Sequence, residues 1–144
     1  MLNLLICFSF ISIVLGVPEF ITEYHEVSNK KQELLYIKKF QNTTKVAIQG
    51  YVISLKMKQA KYKFLPWSKL IVFKKEKKKL ENLISKFPKN VHLRYVRLVI
   101  QENLPGILNY SSQINSDKEF LKKYLNKKDS TDYLDKYIIK NTSL

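Results

Sequence analysis

Cysteine is almost missing from this 144-residue chain, which has Cys7 alone. One thiol excludes an internal disulfide framework and any metal site built from several cysteines. Glycine is nearly as scarce, at positions 16, 50 and 106, so no glycine-rich loop exists to cradle a phosphate. The two histidines, His25 and His92, lie far apart in sequence without a Cys, His or acidic neighbour at ligand spacing, and no metal pattern forms around either. Ser111-Ser112 lacks a nearby histidine base. Carboxylates scatter along helix faces read as exposed, with no evident pair for acid–base work. The expectation is a protein that is not an enzyme and that needs no cofactor or metal.

Arginine is the next shortage. Against 12 Asp+Glu the chain carries 26 Lys+Arg, for a formal charge of +14, yet only Arg94 and Arg97 are arginines, leaving 26 − 2 = 24 lysines. Bidentate recognition of phosphates and bases relies on arginine's planar fork, so the excess charge reads first as a solvated surface. Its distribution is uneven. No acidic residue occurs between Leu34 and Lys75, while Lys56, Lys58, Lys61, Lys63, Lys69, Lys74 and Lys75 accumulate, followed by Lys77, Lys78 and Lys79. With Tyr62, Phe64 and Trp67 interleaved, these lysines form a candidate basic surface for an anionic lipid, a polysaccharide or a nucleic acid.

The apolar run from Leu4 to Leu15 falls short of the about 20 residues that a membrane span needs. With Val14 and the small Gly16 at its end it has the shape of a secretory signal, giving residues 1–16 as a signal peptide and 17–144 as a single domain. An uncleaved N-terminal anchor or a buried first helix is the alternative. Cleavage would leave 144 − 16 = 128 residues without cysteine, exported to a periplasm and held by a core alone. The expected partner there is another protein. An anionic component of the envelope is the alternative, and the compartment disfavours nucleic acid.

What the chain has in abundance is apolar residues at helical spacing. Pro18–Val27, Lys31–Phe40 and Thr44–Tyr62 read as helices, the last with a small-residue face of Ala47, Gly50 and Ala60 among Tyr51, Ser54 and Met57 that invites close helix approach. From Trp67 to Phe87 the positions Trp67, Leu70, Ile71, Leu80, Leu83, Ile84 and Phe87 predict one buried stripe on an otherwise lysine-rich helix. Pro88 ends it, and Asn90 caps a following helix, through Leu104, that is apolar nearly all round and belongs between neighbours. Leu104-Pro105-Gly106 stops that helix. Asn115 or Ser116 is the predicted cap for a helix carrying Phe120, Leu121, Tyr124 and Leu125, and a final helix carries Tyr133, Leu134, Tyr137 and Ile138. No strand-like alternation appears, so the fold class is all-α, in antiparallel helical hairpins.

Paired helices with a Pro-Lys-Asn turn resemble the tetratricopeptide arrangement, although the 34-residue signature is absent. The strings Pro66-Trp67-Ser68-Lys69-Leu70, Phe73-Lys74-Lys75, Pro88-Lys89-Asn90, Leu93-Arg94-Tyr95 and Leu108-Asn109-Tyr110 are similar to a group of short exported helical proteins from Bacteroidetes. That resemblance implies a helical fold and an exported location, and no activity. At Trp67-Ser68 the chain departs from the group's Asn-Pro-Phe turn.

Arg94, Arg97 and Gln101 fall on one stripe of the buried helix, where charged groups need partners. Asp117, Glu102 and the Tyr110 hydroxyl are the candidates, with Arg97–Asp117 the expected pair. The set Arg94, Arg97, Gln101, Tyr110 and Asp117 is thus either a structural network that locks the 105–117 loop or a pocket for an anion or peptide carboxylate.

Overall fold

The computed structural model describes residues 16–144, so the proposed signal segment and Cys7 lie outside the described residues apart from Gly16. Among the described residues there are seven α-helices and no strand: α1 (Glu19–Glu26), α2 (Lys30–Phe40), α3 (Val46–Lys58), α4 (Pro66–Lys86), α5 (Val91–Asn103), α6 (Ile114–Leu125) and α7 (Asp135–Asn141). Short 3-10 turns occupy Gln59–Tyr62, Gly106–Leu108 and Asp132–Leu134. None of these helices is long and apolar enough to cross a membrane.

Local chemistry sets several of the boundaries. Asn29 accepts a hydrogen bond from the Gln32 amide at 3.0 Å and opens α2, while the Gln32 side chain returns to the Ser28 amide at 2.8 Å. Pro66 occupies the first turn of α4, where its missing amide hydrogen costs nothing. Asn90 caps α5 as expected, accepting from the Leu93 amide at 3.2 Å. Neither Asn115 nor Ser116 caps α6, which begins at Ile114 after Gln113 without a side-chain cap. Its first turn is held instead by Asp117, whose amide donates to the Gln113 carbonyl and whose carboxylate is drawn into the interior. The predicted helix over 44–62 ends at Lys58 and tightens into the turn that follows.

The core sits around α3 and α5. Helix α3 packs against α2, α4 and α5, and buries Ile48, Gly50, Tyr51, Val52, Ser54, Leu55 and Met57 on nearly all sides. Helix α5 packs against α3, α4 and α6, with Leu93, Tyr95, Val96 and Leu98 essentially inaccessible. Leu80, Leu121, Leu134 and Ile138 close the same cluster from α4, α6 and the C-terminal turn and helix. A smaller cluster of Met57, Phe73 and Tyr110 lies beside it, with Ala60, Leu104 and Leu108 against it.

The expected face of α4 is corrected. On α4 the buried residues are Phe73, Glu76, Leu80 and Ile84, whereas Trp67, Leu70, Ile71 and Phe87 are exposed. Ile71 and Leu80 are nine positions apart, about two and a half turns, so Trp67 and Ile71 lie on the side of α4 opposite to Leu80 and Ile84, with Leu70 at its edge, and Phe87 follows the helix end. On α2, Leu34 and Leu35 face outward, and Glu33, Tyr36 and Ile37 face the core. A carboxylate takes that inner place because α3 and the turn after it bring Lys58, Lys61, Gln59 and Tyr62 to meet it.

Gly50 is the point of closest approach between α3 and α5. A Cβ added there would lie 2.6 Å from Leu93 Cδ2, inside van der Waals contact, and Leu93 is fully buried. Gly50→Ala gains about 1 kcal/mol of helix propensity and incurs overpacking of about 1–3 kcal/mol. The expected outcome is a net loss near 1 kcal/mol in urea denaturation, reduced when Leu93 is shortened to Ala in the same chain; additive losses would show that the two side chains do not collide.

Candidate functional site

Four of the five residues expected to form a network meet around Asp117. Its carboxylate is fully buried, and Arg97 grips it with two parallel hydrogen bonds, Nε to Oδ2 and a terminal nitrogen to Oδ1, both 2.7 Å. Arg94 sets Nε against Oδ1 as a second cation, donates to the Ser116 carbonyl at 3.1 Å and lies 4.9 Å over the Phe120 ring. The remaining face of Arg97 donates to Glu81 on α4 at 2.8 Å, and the Tyr110 hydroxyl donates to the other Glu81 oxygen. Burial alone would weaken the charge on Arg97, but hydrogen bonds and charge from Asp117 and then Glu81 outweigh it and raise its pKa. Tyr110 is likewise pushed up, chiefly by burial and then by its bond to Glu81.

This arrangement joins α4, α5, α6 and the loop between the last two. Two guanidinium groups face two carboxylates, so charge balances within the cluster and Arg97, 4% exposed, presents no donor face to solvent. Gln101 does not join. It is buried, yet neither side-chain polar atom has a hydrogen-bond partner among the described residues. Glu102, the other candidate partner for the arginines, turns to the C-terminus, bonding Lys118 at 3.2 Å and the Ser143 amide at 3.0 Å.

A second polar cluster is built from aromatic rings and both histidines. His92 bridges two phenols, with Nδ1 2.9 Å from Tyr51 Oη and Nε2 3.1 Å from Tyr133 Oη. One nitrogen accepts and the other donates, which a neutral imidazole satisfies in full. His25 stacks flat on Tyr137 at 4.1 Å and places Nε2 3.3 Å from Tyr95 Oη, where Asn141 also donates at 3.1 Å. Burial depresses both histidines to a pKa of about 4, with Lys140 adding to the effect on His25. These groups tie α1, α3 and α5 to the C-terminal segment. No group of three or more His, Cys, Asp or Glu side chains is arranged to hold a metal among the described residues.

The ten lysines divide. Lys58 and Lys61 pair with Glu33 at 3.0 and 3.3 Å, Lys79 pairs with Glu76 at 2.7 Å, and Lys77 lies 4.4 Å over the Tyr110 ring. Lys63, Lys69, Lys74, Lys75 and Lys78 are exposed, Lys56 is half-buried, and none of these six has a carboxylate in salt-bridge range among the described residues. The reading of the helix-face carboxylates as exposed is corrected for Glu33 and Glu76, which are buried against basic side chains.

Sequence reasoning missed Glu81 and the histidine bridge. Glu76 and Glu81 are the only acids on α4, and Glu81 adjoins the buried stripe through Leu80 and Ile84, which was the available signal. His92 lies among the apolar positions of α5 and invited the same inspection. Comparison with known protein families, with curated proteins and with solved structures finds no match to this chain.

Asp117→Ala leaves two arginines facing one another inside the protein, and breaking a buried pair costs about 3–5 kcal/mol. The expected loss is near the lower figure, because Arg97 keeps Glu81. Combined Arg97→Met and Asp117→Leu should recover part of it in urea denaturation, and no recovery would argue against a pair held mainly by mutual neutralisation. The histidines give a pH dependence. Their folded pKa of about 4 lies below the unfolded value near 6.5, so their stabilisation is complete above about pH 6.5 and declines as pH falls towards 4. For His92 the slope reaches at most about 1.4 kcal/mol per pH unit. Tm measured across this window should fall for the natural chain and fall less for His92→Gln.

Proposed function

We propose that this chain is a non-enzymatic, exported interaction module, a single helical-hairpin domain over 17–144 of tetratricopeptide-like arrangement, that binds another protein. Export rests on reading residues 1–16 as a signal and on the resemblance to short exported Bacteroidetes proteins. The non-enzymatic reading is supported by ion pairing: the buried Asp117 and Glu33 and the partly exposed Glu81 each meet cations, and both arginines are engaged, so no nucleophile–base pair or open anion pocket is built from them.

The observation that carries the reading is the outer face of α2. Leu34 and Leu35 are 47% and 56% exposed at the middle of a regular helix, in a shallow apolar depression edged by Lys30, Lys31 and Lys38. The depression continues past Leu35 to an open groove against α1, where Glu23, Glu26, Val27 and Lys39 line the wall. Adjacent leucines within a rim of both charge signs suit a protein surface with apolar anchors and mixed charge.

A photoreactive benzophenone amino acid at position 35, in the producing cells, tests this. The expected result is one discrete protein adduct, lost when Leu34→Asp is added and little changed by salt, since apolar contact is weakly screened. Absence of an adduct, or an adduct indifferent to Leu34→Asp in a chain with unchanged helical circular dichroism, would overturn it.

A further inference from the structure

The start of α4 buries nothing. From Pro66 to Val72 every residue is exposed or half-exposed, and the first buried side chain is Phe73. In the loop before it and in these two turns, Phe64 is 94% exposed, Trp67 61% and Ile71 64%, and Leu65 and Leu70 are exposed as well. Five bulky apolar side chains within eight residues make a tip that solvent alone does not explain. Lys63, Lys69, Lys74 and Lys75 surround it, exposed and with no carboxylate in salt-bridge range among the described residues, and no acidic residue occurs from 34 to 75.

We infer that the segment Phe64–Lys75 docks this protein on an anionic bilayer surface, through a face separate from the α2 leucines. Phe64, Trp67 and Ile71 enter the headgroup layer, where tryptophan's amphipathic ring is favoured, and the lysines extend their charged ends to the lipid phosphates. Charge and chemistry select this occupant. A protein partner presents both signs, whereas this tip has only one. A nucleic acid would be met by stacking rings and arginine, whereas Leu65, Leu70 and Ile71 stack on no base and the segment contains no arginine. A bilayer with acidic headgroups offers one sign of charge over a broad plane and an apolar layer beneath it.

Trp67 is the only tryptophan, so its fluorescence reports on this tip and not on the apolar N-terminal run. The full chain is mixed with phosphatidylcholine vesicles containing or lacking phosphatidylglycerol. The expected result is a blue shift and protection from acrylamide with the anionic vesicles, weak or absent with neutral ones and reversed by high salt. Lys69→Gln and Lys74→Gln together weaken binding by about 25-fold, about fivefold for each lysine removed. Phe64→Ser with Ile71→Ser abolishes the shift, and because these side chains are exposed the helical circular dichroism stays unchanged. An unshifted Trp67 would overturn the inference, as would an equal shift on neutral vesicles. So would a response to a DNA duplex without one to vesicles, or emission already blue and protected before lipid is added.

Discussion

Burying a carboxylate is tolerable only where cations and hydrogen bonds replace the water it loses, and Asp117 depends on that replacement from both arginines of the chain. The requirement reaches well beyond one ion pair. Arg97 and Arg94 are one turn apart on α5, Asp117 is in the first turn of α6, and Glu81 comes from the middle of α4. Meeting it fixes how these three helices stand against one another, and draws in Tyr110 and the loop that carries it.

The same solution recurs at a second place with lysine in the cationic role. Glu33 is fully buried between α2 and the end of α3, but Lys58 and Lys61, which meet it, are themselves about half exposed. Lysine's flexible stem allows a charge to reach inward from a solvated position, whereas arginine's fork serves where both partners are enclosed. The chain's two arginines stand at a carboxylate whose main partner is itself enclosed, and its abundant lysines remain available for partly wet contacts and for the surface. Within Phe64–Lys75 that surface charge has no acidic residue interspersed with it in the sequence.

The helices were legible because their determinants are local. Asn90 and Pro88 mark boundaries through hydrogen bonds and ring geometry that involve only neighbouring residues, and Gly50 announced a close helix contact by being a glycine where alanine would serve the helix better. The Arg97–Asp117 pair was legible because a buried charge demands a partner. The wrong face on α4 had a different origin. Trp67 and Ile71 fall opposite Leu80 and Ile84 on the helix, a break in spacing that a bare succession of apolar positions conceals. Glu33 and Glu81 were missed for the complementary reason: a carboxylate on a helix reads as exposed until a distant segment supplies its cation.

The stacking of His25 on Tyr137 joins the two extremities of the described chain across the intervening helices. Tyr133, Leu134, Ile138 and Asn141 lie in the same layer, against rings contributed by α1, α3 and α5. Without Tyr133, Leu134, Ile138 and Asn141 the core would lack one of its walls. Opening of α1 and opening of α7 expose the same layer, so local unfolding of one is coupled to that of the other.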